Sequence, residues 1–347
     1  RRLVAGLVTL IAMITIAFVV FWLTPTKPLR FLYPGQLAPT KYQTSHANHV
    51  LGLDKPKIEQ WAHYVTHLPR GDFGGRWAAT QVTPDQRIIQ FPVAALVNPA
   101  LRMTLSLLVG GAVLVLLLAI PLGAFAGSRV GSIGDRTVSL IALIGICTHP
   151  MVIGILVRSL FSTSLHWLPP TGYCPLIKPA GSTGCGGVVD WADHLALPWL
   201  TFALLFLALY VRMVRGSVAD TLHEDYVRTA RAKGAGEVRV IGRHVLPNAG
   251  LRVLTMIGME IGTAIGVCIY IERAYQLPGL ASLAVWEMAG NGTALDLPMI
   301  LAIVFVISAI VVVGNFIVDA IYVYFDPRTT VNTGRPRTTK VAAGGVI

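Results

Sequence analysis

The stretch Asp220–Gly250, DTLHEDYVRTARAKGAGEVRVIGRHVLPNAG, is the longest strongly charged interval in a chain otherwise built from apolar runs. Eight Lys and Arg residues fall between Arg212 and Arg252. Apolar segments long enough to approach a bilayer crossing flank it on both sides. A structured charged loop in that position suggests a docking surface for something in the aqueous phase. Thr221-Leu222-His223-Glu224 fits a capping box, in which hydroxyl and carboxylate satisfy reciprocal backbone donors, so a helix is expected from Leu222 to about Lys233. Glu224 and Arg228 form an i,i+4 pair in the favourable order. Gly234 and Gly236 end this helix by permitting a left-handed cap; Glu237 starts a second helix, which Pro247 limits. Periodicity alone leaves a second reading open, a solvated loop that only sets topology.

Working outward, the chain of 347 residues is 54% hydrophobic and 13% charged, with a mean hydropathy of +0.64. Soluble domains carry about 25% charged residues, so a water-facing globule is excluded. A net charge of +11 raises nucleic acid as a partner, but the basic residues are dispersed over loops between apolar spans. The positive-inside bias explains them, and the partner is the lipid bilayer. The spans read as Leu3–Leu23, Met103–Ala126, Val138–Val157, Leu195–Val211, Val253–Ile271 and Met299–Val318. The expected fold is therefore all-α and polytopic, with six transmembrane helices and both termini on one face. Segments on the N-terminal side of the bilayer hold sixteen Lys and Arg, against three in the two short loops opposite. That asymmetry puts both termini and Asp220–Gly250 in the cytoplasm.

The first span, 1–23, is read as uncleaved. Residues 24–100 are polar and proline-containing, too long for a simple connection, and read as a small extracytoplasmic subdomain. Within it Leu51–Leu68 has helical spacing, and Arg70-Gly71-Asp72-Phe73-Gly74-Gly75 reads as a turn. It is not a phosphate cradle, because no apolar strand leads in and no Gly-Lys-Ser/Thr follows. Residues 101–325 form the membrane core, and 326–347 a polar tail expected to be disordered. Cys147 and Cys268 read as small core residues. Cys174 and Cys185 share one loop on the extracytoplasmic side, where a disulfide can persist. No HExxH, GxSxG or phosphate-loop pattern is present, so no enzyme is expected.

Ala230, Gly234, Leu246 and Pro247 are spaced as in the EAA loop of ABC-importer permeases, with departures at Arg228, Thr229 and His244. The stretch EDYVRTARAKG (Glu224–Gly234) resembles the version in the dipeptide/oligopeptide/nickel permease family. Further matches in order are LGLDKP (Leu51–Pro56), GDFG (Gly71–Gly74), IPLGAFAGSRVGSIGDR (Ile120–Arg136), WLPPTGY (Trp167–Tyr173), HLALP (His194–Pro198), IERAYQLPGL (Ile271–Leu280), DLP (Asp296–Pro298) and Asp326-Pro327-Arg328. Thr24–Val50 and the Cys174–Cys185 loop fit poorly. The resemblance implies a type I importer-permease (MetI-like) fold and a non-catalytic subunit for peptides. Implied partners are a second, related permease, two cytoplasmic ATPases and an extracytoplasmic peptide-binding protein. No cofactor belongs to this chain; ATP and Mg²⁺ would sit in the ATPases. The coupling residues would be Glu224, Asp225, Tyr226, Arg228, Thr229, Ala230, Arg231, Lys233, Gly234, His244, Leu246 and Pro247. Alternatives are a stand-alone channel or secondary carrier, and an importer of nickel or another small solute.

Glu260, in an apolar span, costs about 2.5–3.5 kcal/mol at a helix centre on insertion scales and should face a cavity or partner. Gly258, Gly262 and Gly266 beside it form a ladder that permits close helix approach. Glu260, Met259, Thr263 and His149 are the candidate pathway residues. Glu272 reads as a structural hydrogen-bonding group at a helix–loop junction. His149-Pro150 marks a kink with the imidazole bonded locally; a metal role lacks a second ligand at i,i+3 or i,i+4. Arg212 and Arg215 read as snorkelling anchors.

Overall fold

The computed structural model describes residues 2–23, 40–77, 81–82, 88–178, 184–289 and 296–325. The expected tail and Asp326-Pro327-Arg328 lie outside the described residues, as do most of Thr24–Thr40 and the side chain of Cys147.

Helix α1 (Arg2–Leu23) is apolar almost throughout. Two short helices follow, α2 (Lys41–Val50) and α3 (Lys57–His67). A capping box starts α2: Thr40 Oγ1 accepts from Gln43 N at 3.3 Å, and Gln43 Oε1 accepts from Thr40 N at 2.8 Å. The Arg70–Gly75 segment is a turn, with Gly71 and Gly74 at positive φ and Gly74 N donating to Asp72 Oδ1 at 3.0 Å. Strands β1 (Gln81–Val82) and β2 (Ile88–Ile89) pair antiparallel, a small addition to the expected all-α class.

The long helices come next. Helix α4 (Ala94–Ser128) begins before the expected core start at residue 101. Helices α7 (Val188–Thr221), α10 (Leu246–Tyr275) and α12 (Leu297–Phe325) complete the set. Among the described residues four helices are long and apolar enough to cross a membrane: Ala94–Ser128, Val188–Thr221, Glu237–Tyr275 and Leu297–Tyr324. Val4–Val20 and Pro150–Ser164 are shorter apolar helices.

The expected span Val138–Val157 is not one continuous helix. Helix α5 (Ile133–Cys147) stops at Thr148, which is extended. His149 then caps α6 (Pro150–Arg158), its Nδ1 accepting from Met151 N at 3.3 Å, and a π-turn (Ser159–Ser164) completes the segment. Pro150 sits in the first turn of α6, where its missing N–H costs nothing. The sequence signal for a kink is thus a break with a new cap.

The main core joins α4, α7 and α10 through Met103, Leu107, Phe202, Phe206, Val253 and Cys268. Close approach of α4 to α7 needs glycine: a Cβ on Gly111 would lie 2.6 Å from the Phe202 ring. On Gly127 it would lie 2.6 Å from the Arg215 carbonyl oxygen. The contacts ascend together in both helices, so α4 and α7 run parallel. A second cluster packs Leu68 and Phe73 against Val93, Leu280, Met299 and Ile303, tying the segment after α1 to the bundle.

Candidate coupling surface and permeation face

Helix α8 (Asp225–Ala232) and α9 (Glu237–Val240) occupy the charged stretch. The expected capping box does not form. Thr221 remains the last residue of α7, and its hydroxyl donates to Ser217 O at 2.7 Å. Glu224 is the N-cap of α8 by position, without a side-chain cap bond, so the helix starts at Asp225 rather than Leu222. Arg228 pairs with Asp225 at 3.9 Å rather than with Glu224. Gly234 does adopt the left-handed cap, at φ 83°, and Ala235 N donates back to Ala230 O at 3.2 Å. Gly236 is instead extended, as the N-cap of α9.

Pro247 does not end the second helix. A π-turn (Ile241–Val245) widens the coil immediately before it, and helical structure continues from Glu237 to Tyr275. Proline lacks an N–H and clashes with the carbonyl four residues earlier, so a locally widened turn is one way to carry it.

Val227 is the anchor of α8, fully buried together with Val240 and Val245 in the main core. Around it Asp225, Tyr226, Arg228, Thr229, Arg231, Lys233 and Gly234 are exposed, while Ala230, His244 and Leu246 are half-buried and Pro247 is exposed. Two apolar groups lie open beside them: Tyr226 is 42% and Val238 88% exposed. Side-chain bonds brace the unit. Arg231 Nη2 pairs with Glu237 Oε1 at 2.7 Å across the glycine turn, and Asn248 Nδ2 donates to Tyr226 Oη at 2.6 Å. Arg252 pairs with Asp220 at 2.9 Å.

Arg215 is no snorkelling anchor. It grips Asp135 at the start of α5 bidentately, Nε to Oδ1 and Nη2 to Oδ2, the latter at 2.7 Å. These bonds, with one from Gly131 N at 2.9 Å, fix the Asp135 carboxylate at the start of α5. Arg212 is exposed.

At the other end of α10, Glu272 is fully buried, accepting from Thr104 Oγ1 and from Ser282 N, each at 2.7 Å. It joins α4 to the start of α11 (Leu280–Ala289) and makes the structural junction expected of it. Gly279 lies so close to its carboxylate that any Cβ there would overlap it. Nearby, Arg76 pairs with Glu287 at 2.6 Å and with Asp296 at 3.2 Å, while Trp77 N donates to Asp296 Oδ1 at 3.1 Å. Sequence reasoning missed this cluster; the DLP motif marked Asp296, but nothing local connects it to Arg76, 220 residues away.

Along α10 one face is largely open among the described residues. Arg252, Thr255, Met259, Gly262, Thr263, Gly266, Tyr270 and Arg273 are exposed, each on one stripe of a 3.6-residue helix. The ring of His149 meets this stripe edge-on at Tyr270, with ring centroids 4.7 Å apart. Met259, Thr263 and His149 therefore share one surface. Glu260 is turned away from it by one residue's rotation, about 100°, onto a cavity of about 720 Å³ that it shares with Phe206, Tyr210, Ala264 and Phe305. The glycine ladder divides as well. Gly258 packs against Val318 of α12, whereas a Cβ on Gly262 or Gly266 would meet nothing.

Cys174 and Cys185 are joined as a disulfide, with Cα atoms 5.5 Å apart, and Cys268 is buried and free. Among the described residues no group of three or more His, Cys, Asp and Glu could hold a metal.

Comparison with known proteins bears on this arrangement. The family model described as "binding-protein-dependent transport system inner membrane component" matches residues 119–331. A companion model for the N-terminal part of such membrane components matches 1–81. A Brucella ovis protein described as a peptide permease is 32% identical over 95% of this chain and 98% of its own length. The oligopeptide transport system permease protein of Bacillus subtilis is 29% identical over 94% and 97%. The glutathione transport system permease protein of Salmonella typhimurium is 30% identical over 94% and 96%. Among solved structures, a chain of the MetNI methionine ABC transporter in inward-facing conformations superposes with a TM-score of 0.51. It is 17% identical and covers 67% of this chain and 97% of its own, which shows a shared fold. This chain belongs to the family of inner membrane components of binding-protein-dependent transport systems, the permease subunits of ABC importers.

Proposed function

We propose that this chain is the permease subunit of an importer for di- or oligopeptides, and that α8 is its coupling helix. The observation that carries this is the construction of α8. Val227, with Ala230 beside it, roots the helix in the core, while charged groups and the apolar Tyr226, with Val238 of the adjoining α9, stand open to a partner. A short helix that follows α7 after three residues and is bonded to α10 through Tyr226 and Asn248 moves as a unit with them, which suits the transmission of a rigid-body displacement. The partner is a cytoplasmic ATPase, one of two, which hold ATP and Mg²⁺; a second related permease completes the pathway, and an extracytoplasmic binding protein delivers the peptide. The peptide assignment is supported by the names of the related permeases.

In this reading the chain is non-catalytic and crosses the membrane six times, through α1, α4, α5 with α6, α7, α10 and α12. Both termini are cytoplasmic, and 24–100 is an extracytoplasmic subdomain, as is the disulfide loop. The stripe with Met259, Thr263 and His149 lines the pathway. Its exposed Gly262, Thr255 and Thr263 are ill suited to lipid and well suited to a polar route or a second subunit. Glu260 serves the adjoining cavity.

The test is Gly234→Val in the assembled complex. A β-branched side chain is strained at φ 83°, yet no membrane-embedded contact is touched. Substrate-stimulated ATP hydrolysis and uptake should separate, uptake falling about tenfold or more while membrane insertion is retained. Normal stimulation together with normal uptake would remove α8 from the coupling role.

A further inference from the structure

We propose that His149, Tyr270 and Arg273 form an anion subsite at the C-terminal end of the α10 stripe, taking the terminal carboxylate of the transported peptide. The inference rests on the importer reading above and adds the chemistry of the cargo group recognised.

Three residues that carry donors lie at that end of the stripe. His149 Nδ1 is occupied, accepting from Met151 N at 3.3 Å as the cap of α6. In the neutral ring the proton then sits on Nε2, leaving an outward N–H donor. The ring lies edge-on to Tyr270, 4.7 Å between centroids, and both residues are exposed. Arg273 follows Tyr270 by three residues, which places their Cβ atoms roughly 5–6 Å apart on the same face.

The cluster lacks an acid of its own. Arg252, at the opposite end of the stripe, is paired with Asp220 at 2.9 Å. Arg273 is exposed and makes no ion pair among the described residues. The adjacent Glu272 is turned inward and saturated by Thr104 and Ser282. A guanidinium at the edge of a bilayer invites an anion, and its planar fork matches a carboxylate bidentately. A lipid phosphate would meet the same charge. Two neutral donor groups beside it, Tyr270 on the polar stripe and His149 against it, favour a solute instead.

The experiment measures equilibrium binding of labelled dialanine to the purified complex without its binding protein, in competition with unlabelled dialanine and its C-terminal amide. The wild type should prefer the free acid by about tenfold or more, the size expected for a charge-assisted hydrogen bond. Arg273→Gln should erase that preference, and Arg273→Lys should restore part of it, which separates lost recognition from misfolding. His149→Gln should weaken both ligands less than Arg273→Gln weakens the acid. Absence of saturable binding at millimolar peptide overturns the subsite, as does an acid-to-amide ratio unchanged in Arg273→Gln. So does a variant whose only change is lost stabilisation by anionic lipid, the mark of a headgroup anchor. Uptake by the same preparation with its binding protein tests the importer reading separately.

Discussion

The two ends of α10 are held by different physics. At its N-terminal end, α8 and α9 are fixed by one buried valine core and by ion pairs between exposed side chains, such as Arg231 with Glu237. At its C-terminal end, carboxylates are withdrawn from solvent: Glu272 is bonded to Thr104 and Ser282, and Asp296 to Arg76 and Trp77. Exposed pairs contribute little and are screened by salt. Buried ones are costly to break, because the surviving partner stays behind unpaired. The contrast suits the proposed division of labour. A surface that must detach from and reseat against another protein is held loosely in polar terms and rooted by packing. A junction that only has to keep three helices and a loop together is locked.

Substitutions can break this contrast, the largest effect first. Asp296→Ala removes the carboxylate that Arg76 shares with Trp77 N, taking one ion pair from the first and the acceptor from the second. A loss of about 3–5 kcal/mol is expected, read as a marked fall in the midpoint of thermal unfolding in detergent. A change within error would show that the cluster is incidental to stability. Val227→Ala removes two carbons from a filled core and should cost about 2 kcal/mol. Its midpoint should fall less than that of Asp296→Ala, and local proteolysis should rise at residues 221–240. Equal protection of that segment in both variants would count against Val227 as the root of α8. Smallest is Arg231→Ala, expected at about 0–1 kcal/mol and vanishing in high salt. A larger, salt-insensitive effect would mean that the glycine turn depends on this pair, contrary to the proposed difference between the two ends.

Much of the candidate coupling surface was legible locally. Gly234 in the left-handed cap and Glu237 at the start of a second helix follow from backbone chemistry within a few residues. The errors in the same stretch have separate causes. Thr221 was free in principle to cap a new helix, but α7 continues through it because its last turn is packed, with Ser217 and Val218 buried. Its hydroxyl is thereby spent inside the old helix. Pro247 has a strong local reputation as a helix limit, and the π-turn before it defeats that expectation. Arg215, before that stretch, illustrates a third kind of miss: its partner Asp135 is 80 residues away, so its neighbours favoured a snorkelling anchor at the inner end of the span, where a gate could also lie.

Hydropathy, a property of contiguous residues, determined from the sequence alone that this is a helical membrane protein, and dispersed motifs identified its relatives. Which way each polar side chain faces was decided by tertiary structure. Met259 and Glu260 are adjacent in sequence, yet one lies on the exposed stripe and the other on a cavity. A helix turns about 100° per residue, and only the packing of α7 and α12 against α10 decides which of those directions is empty.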